Sequence, residues 1–399
     1  MLTDKHINRY ADVLLWGLKT ARAGRFKKND IVIIRYDYKA IRLAEALYAR
    51  LLDMGIHPVQ RINLTEVMEK DFFERSNRSQ LVFKTPGDEE LIRSLNGYIS
   101  LRAPDSITHL SRIDPARIGK ATVARKYMHE ITDEREASGD FGWTLCIYPT
   151  AELASHAEIS LEEYTSQVIK SCFLGRADPV SHWKEIYNQA NIIKKWLNSM
   201  DVKCFHVESD NIDLEVNPGR NRKWIGISGH NIPSFELFLS PDFRSTRGVY
   251  FADQPTYRSG NYARGIRIEF KAGSATKIDA QEGAEFVRKL LEIDKGAKRL
   301  GEFSLTDKRF SKINRFMANT LYDENFGGRY GNCHIALGSS YLDTYDGDPS
   351  DMDNKKKAEL GFNDSAMHWD LVNTEKKRVV ARLTDGRHVT IYENGLFRY

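Results

Sequence analysis

The chain has 399 residues, of which 41% are hydrophobic, 11% aromatic and 29% charged, and its formal net charge is +4. That length supports two domains with a sizeable core, and the balanced charge, with no long basic run, argues against a nucleic-acid surface. Cys146, Cys172, Cys204 and Cys333 are far apart and form no CxxC, which excludes a disulfide framework or a zinc–thiolate site and suits a reducing compartment.

The chain opens on MLTDKHINRYADVLLWGLKTA, an amphipathic helix broken by charge and lacking the continuous apolar core of a signal peptide. No run approaches the roughly 18 apolar residues of a membrane span. A soluble cytoplasmic protein is expected, with no nucleic-acid or membrane partner. Residues 30–62 read as a βαβ unit. IVIIR is a β-branched strand, Ile41, Ala44, Leu47, Tyr48 and Leu51 recur at helical spacing, and HPVQRI is extended again after Gly55. YISLRA (98–103) and WTLCIYP (143–149) read as further strands, and SLEE at 160–163 is a capping box opening a helix through Val168. This half has the texture of a nucleotide fold without its chemistry. The turn after IVIIR is YDYKA, and neither GxGxxG nor GxxxxGK[ST] occurs.

A helix from Trp183 to Leu197 follows, and the domain boundary is placed near 185: an α/β N-terminal domain over 1–185 and an α+β C-terminal domain over 186–399. GIRIEF-KAGSA-TKIDA reads as a hairpin around 265–280, with a helix at about 281–293. The Asp-Gly and Asn-Gly turns of ARLTDGRHVTIYENGLFRY predict a closing antiparallel meander. Residues 343–361 form a long polar loop placed to rim a site.

The second domain carries isolated acids and histidines in apolar, strand-like settings: Glu236 in NIPSFELF, Glu302 in LGEFSL, Glu324 in LYDENFGG, His334 in GNCHIALGSSY, and His368 and Asp370 in NDSAMHWDLV. With period two, Met367, Trp369 and Leu371 face one way and Ala366, His368 and Asp370 the other. The bland account of such a pair is a hydrogen bond on a half-exposed strand. Six such residues in one domain point instead to a metal centre. Oxygen and imidazole donors suit Zn²⁺, Co²⁺ or Mn²⁺, and several carboxylates favour two ions. A binuclear phosphoesterase or amidohydrolase fits the same donors, and a binding module with a structural metal fits less well for want of a cysteine ligand. MHEITDE (128–134) imitates a zincin helix but has Asp133 where a second histidine is needed. Cys333 and His334 are adjacent and would point to opposite faces of a strand. His230 reads either as a support to a ligand or as structural.

In order, NIPSFE (231–236), LGE (300–302), DEN (323–325), HIALGSSY (334–341) and NDSxxHxD (363–370) resemble the aminopeptidase T/aminopeptidase S family of metallo-exopeptidases, with a looser match through WTLCIYPTAELA. The resemblance spans nearly the whole chain, with a longer interval between Glu324 and His334. It implies a largely antiparallel catalytic sheet with metal ligands Glu236, Glu302, Glu324, His334, His368 and Asp370, and an active-site Tyr341. It also implies two divalent ions (Co²⁺ or Zn²⁺, with Mn²⁺ or Mg²⁺ accepted) and an intracellular homodimer acting on peptides with a free N-terminus. Glu236 or Glu302 is then the bridging or proton-accepting carboxylate.

Overall fold

The computed structural model describes residues 1–258, 260–348 and 351–399. The chain forms two compact units. The first comprises Met1–Trp183 with Ser228–Pro233, and the second Lys184–Ile227 with Ser234–Tyr399.

The first unit is built on a parallel sheet. Its strands are β1 (Ile31–Tyr36), β2 (His57–Ile62), β3 (Gly97–Arg102), β4 (Gly142–Ile147) and the short returning β7 (Asn231–Ile232), in the order β2-β1-β3-β4-β7. Val32 and Ile34 are fully buried, as a central parallel strand covered on both faces requires. Helix α1 (Asp4–Ala21) starts at a Thr3/His6 capping box and packs Tyr10 and Leu14 inward, with the Tyr10 hydroxyl donating to the Ile147 carbonyl at 3.1 Å. The SLEE capping box opens helix Leu161–Ser171 as expected, Ser160 and Glu163 satisfying each other's backbone N–H. MHEITDE lies on helix Lys126–Ala137, with His129 exposed.

The second unit holds two antiparallel sheets. In the nine-stranded sheet β10 (Thr256–Arg258), β11 (Asn261–Lys271), β9 (Arg247–Ala252), β6 (Asp213–Val216), β5 (Val202–Glu208), β16 (Arg378–Leu383), β17 (His388–Glu393) and β18 (Leu396–Phe397) follow in order, with β12 (Ser274–Glu282) on β11. The expected hairpin is β11–β12, turned by Ala272 and Gly273, both at positive φ. Its ladder runs on to Arg264 opposite Glu282. This shortens the helix expected at 281–293 to Ala284–Leu290, because residues 281 and 282 are held in the sheet.

The four-stranded sheet, ordered β15 (His368–Asn373), β14 (Asn332–Gly338), β13 (Leu300–Thr306) and β8 (Glu236–Leu239), is antiparallel throughout. One face is core: Leu237, Phe303, Leu305, Ile335, Leu337, Trp369 and Leu371 are essentially inaccessible. Cys333 points to that face, and burial pushes its thiol up to about 11, so it is a core side chain rather than a nucleophile. In the 343–361 segment, Tyr345, Met352 and Leu360 form a small apolar cluster with Phe362, while 349 and 350 lie outside the described residues.

Candidate metal centre

The opposite face of the four-stranded sheet carries the polar residues, and the register fixes which of them meet. Glu236 pairs with Thr306, Ser304 with His334, Ala336 with both Glu302 and Asp370, and Gly338 with His368. Period two puts all of them on one face. Ala336 and Gly338 sit between the acids and the imidazoles, so the middle of the face has room. Gly338 is at φ +106°, and a Cβ there would lie 2.0 Å from the Met367 carbonyl oxygen. Only glycine lets β14 approach β15 this closely.

Two sets of donors converge. Ligand atoms of Glu236, Glu302 and His334 lie within 4.8 Å of one another, and so do those of Glu302, His368 and Asp370. Glu302 belongs to both sets, one oxygen 3.1 Å from His334 Nε2 and the other 3.5 Å from His368 Nε2. His334 Nε2 is also 3.1 Å from Glu236, and His368 Nε2 is 3.3 Å from Asp370.

The far nitrogens are committed elsewhere. His368 Nδ1 lies 2.8 Å from the Ser339 carbonyl oxygen. A carbonyl only accepts, so Nδ1 carries a proton and Nε2 is the nitrogen that faces the carboxylates, a donor to them while protonated and open to an ion once that proton is displaced. His334 Nδ1 is 3.4 Å from the Asn332 amide oxygen, with the same consequence. Behind β15, Asn363 donates to the Gly296 and Gly338 carbonyls, and Asp294 accepts from Ser365 Oγ and Ala366 N–H. NDS therefore fastens the entry to the strand.

The electrostatics are those of negative charge crowded out of water. Burial first, then the charges of Glu302 and Asp370, raises the Glu236 pKa against the lowering effect of His334. Burial would lower both imidazoles, but Glu236 and Glu302 around His334, and Asp370 and Glu302 around His368, hold both well above the ordinary histidine value. Burial opposes ionisation of Asp370, yet His368, His334 and Arg258 hold it below its ordinary value. The cluster thus attracts positive charge. Its four carboxylates, Glu324 included, match when ionised the formal charge of two dications, and each imidazole directs its Nε2 at them, so the donor set fits divalent ions.

Glu324 comes from a different kind of element than its strand-like setting implied. It caps the C-terminus of the short helix Thr320–Asp323. It is buried and lies outside both donor sets, but burial and the charges of Glu236, Asp370 and Glu302 hold its pKa well above the ordinary value. Asn325 fixes this end by accepting from the Phe235 N–H at 2.5 Å, which ties the helix end to the entry of β8. The Tyr341 ring is 4.7 Å from that of His368 and 5.6 Å from that of Phe238. Tyr341 keeps 45% of its surface accessible. Its phenol nonetheless sits amid dense protein and the charges of Glu302, Asp370, Glu324 and Glu236, which hold its pKa well above the ordinary tyrosine value. His230 belongs to the first unit, where Glu136 Oε1 and Ser228 Oγ, each at 2.7 Å, occupy its two nitrogens. Arg258 has no sequence motif, yet its Nη1 donates to the His368 carbonyl at 2.6 Å.

An α/β unit joined to an antiparallel unit whose sheet carries buried carboxylates and imidazoles in two converging donor sets defines a metal-dependent hydrolase. The model of the thermophilic metalloprotease (M29) family matches residues 3–397, and the chain belongs to that family of metallo-aminopeptidases. It is 28% identical to aminopeptidase T of Thermus aquaticus over 305 residues, 72% of each chain. It is 27% identical to aminopeptidase AmpS of Bacillus subtilis over 339 residues, 78% of this chain and 79% of that protein. It is 28% identical to aminopeptidase PepS of Streptococcus thermophilus over 265 residues, 63% of this chain and 62% of that protein, just under two thirds of its length. The fold is that of wild-type AmpT from Thermus thermophilus, with a TM-score of 0.80 over 98% of this chain and 99% of that one at 21% identity. No helix among the described residues is long and apolar enough to cross a membrane.

Proposed function

We propose that the second unit is the catalytic domain and that it removes the N-terminal residue from peptides with a free amino group. Two divalent ions, Co²⁺ or Zn²⁺ with Mn²⁺ or Mg²⁺ as alternatives, are held by Glu236, Glu302, Glu324, His334, His368 and Asp370. The observation that carries this reading is the sharing of Glu302: its two oxygens address different imidazoles, one in each donor set. The ions, when bound, supply Lewis-acid polarisation and lower the pKa of water from 15.7 toward about 7.

The chain's own groups do the rest. Glu302 spans the two donor sets and is committed there. Glu236, held by the Ser304 hydroxyl that donates to it at 3.1 Å, is the carboxylate that takes the proton of the attacking water. Tyr341, kept protonated, donates to the oxyanion that develops on the scissile carbonyl. Ser339 and Asn332 hold Nδ1 and so keep each imidazole Nε2 aimed inward. The chain acts in the cytoplasm as a homodimer, a reading supported by family membership and by cysteines that are all free.

The test is hydrolysis of a leucyl chromogenic amide against its N-acetylated form, on chelated protein and after addition of Co²⁺ or Zn²⁺. The expected result is metal-restored cleavage of the free-amine substrate alone. Equal cleavage of both forms would refute exopeptidase action, and cleavage insensitive to chelation would refute the metal mechanism.

A further inference from the structure

The strand entering the second donor set is sewn to a neighbouring hairpin. Gln254 N–H donates to the Val372 carbonyl at 3.3 Å, Trp369 Nε1 donates to Thr256 Oγ1 at 3.2 Å, and Arg258 Nη1 donates to the His368 carbonyl at 2.6 Å. These contacts step along β15 from its C-terminal half to its first residue. The last of them brings a guanidinium, half-buried on β10, onto His368, a residue that only the second set contains. Its partner is the backbone carbonyl of His368. On the first set, Ser304 and Asn332 supply neutral contacts to Glu236 and His334.

We infer that Arg258 is a positioning residue for the second ion alone, fixing the backbone of His368, so that the two ions are held by different supports. The inference rests on the two-ion reading above. A guanidinium is suited to the task because its planar fork holds one geometry and stays charged in a partly buried place. Removing an outer partner of a metal ligand commonly costs about 10–100-fold in metal affinity.

The test is Co²⁺ titration of chelated full-length protein, read by calorimetry and by the visible absorption of bound cobalt. It is run on the native chain, on Arg258→Met, and on Arg258→Gln, which can still donate to the His368 carbonyl but has no charge. The native chain is expected to bind two ions. Arg258→Met is expected to bind one with native affinity and the other about 10–100-fold more weakly, with only the weaker ion's absorption changed and the unfolding midpoint of the chelated protein preserved. Arg258→Gln is expected to lie between, and decides by the same criterion should the methionine variant not fold. Native affinity for both ions in the variants, or equal weakening of both, would overturn the role of Arg258. A native chain that binds fewer than two ions would overturn the two-ion reading itself, which is a different result.

Discussion

Replacing Glu302 by glutamine separates a metal ligand from a structural ion-pair partner, because the two roles predict opposite effects in the absence of metal. The amide keeps the shape of the side chain but loses its charge and offers one oxygen instead of two. Both donor sets use Glu302, so both lose an anionic ligand. An ion's contribution of several kcal/mol to the transition state is then forfeited, and a loss of about 4 kcal/mol is a fall of about 10³ in kcat/KM. In chelated protein the balance reverses. Donor atoms no more than 4.8 Å apart put Glu302 against Glu236 and against Asp370. A like-charged pair at that spacing costs on the order of 3 kcal/mol at an effective dielectric of about 20. His334 keeps Glu236 as its partner and His368 keeps Asp370 once the carboxylate is gone, so no unpaired buried charge remains. The chelated variant should unfold at the same temperature as chelated native protein or higher, by about 2–4 °C for each kcal/mol of relieved repulsion. If Glu302 were instead only a buried partner of His334 and His368, its loss would cost about 3–5 kcal/mol without metal. Metal content by mass spectrometry, leucyl-amide hydrolysis and thermal unfolding with chelator measure all three quantities. Two ions retained with a rate within tenfold of native, or a clear drop in the chelated midpoint, would refute the reasoning.

Tyr341→Phe should keep both ions and lower kcat by about 10²–10³, the usual cost of one oxyanion donor; an unchanged kcat with normal metal content would remove Tyr341 from the reaction. Lys377 is 2% exposed and donates to the Glu375 carbonyl, and burial lowers its pKa to about 8. Between about pH 8 and the unfolded value near 10.4 the unfolded chain binds the extra proton, so stability rises with pH through that window by as much as about 3 kcal/mol. Lys377→Met should abolish this share of the rise. Urea unfolding at pH 7 and pH 10 measures it, and an identical pH dependence in both proteins would contradict it.

Much of the centre was legible because a strand has a short memory. Period two is enough to place His368 and Asp370 together, and His334 beside the gap left by Ala336 and Gly338, without knowing which strands pair. The first sheet was legible for the same reason in reverse: IVIIR and WTLCIYP are apolar enough to be covered on both faces. What no local period encodes is register between distant segments. β16 pairs with β5 across 170 residues or more, and nothing in ARLTDGRHV indicates that the closing meander extends a sheet begun near residue 202. Glu324 misled for a related reason. Its apolar entry, LYD, resembles a strand, but Asp323 accepts from the N–H groups of Met317 and Asn319 and closes a turn of helix instead.

Arg258 was illegible on different grounds. A ligand announces itself by being an acid or imidazole where apolar residues are expected, whereas an arginine in TYR is ordinary until its partner is known. Its contact is with a backbone carbonyl, which every residue possesses, and its charge matters only through the register that brings β10 alongside the first residue of β15. Ligands can thus be read from residue type and spacing, but the groups that support them are set by tertiary pairing. In the two-ion reading, ions sharing Glu302 would stand on different supports: Ser304 and Asn332 from the same sheet on one side, Arg258 from a second sheet on the other. On that reading, a change in the nine-stranded sheet near β10 would reach one ion without passing through the other.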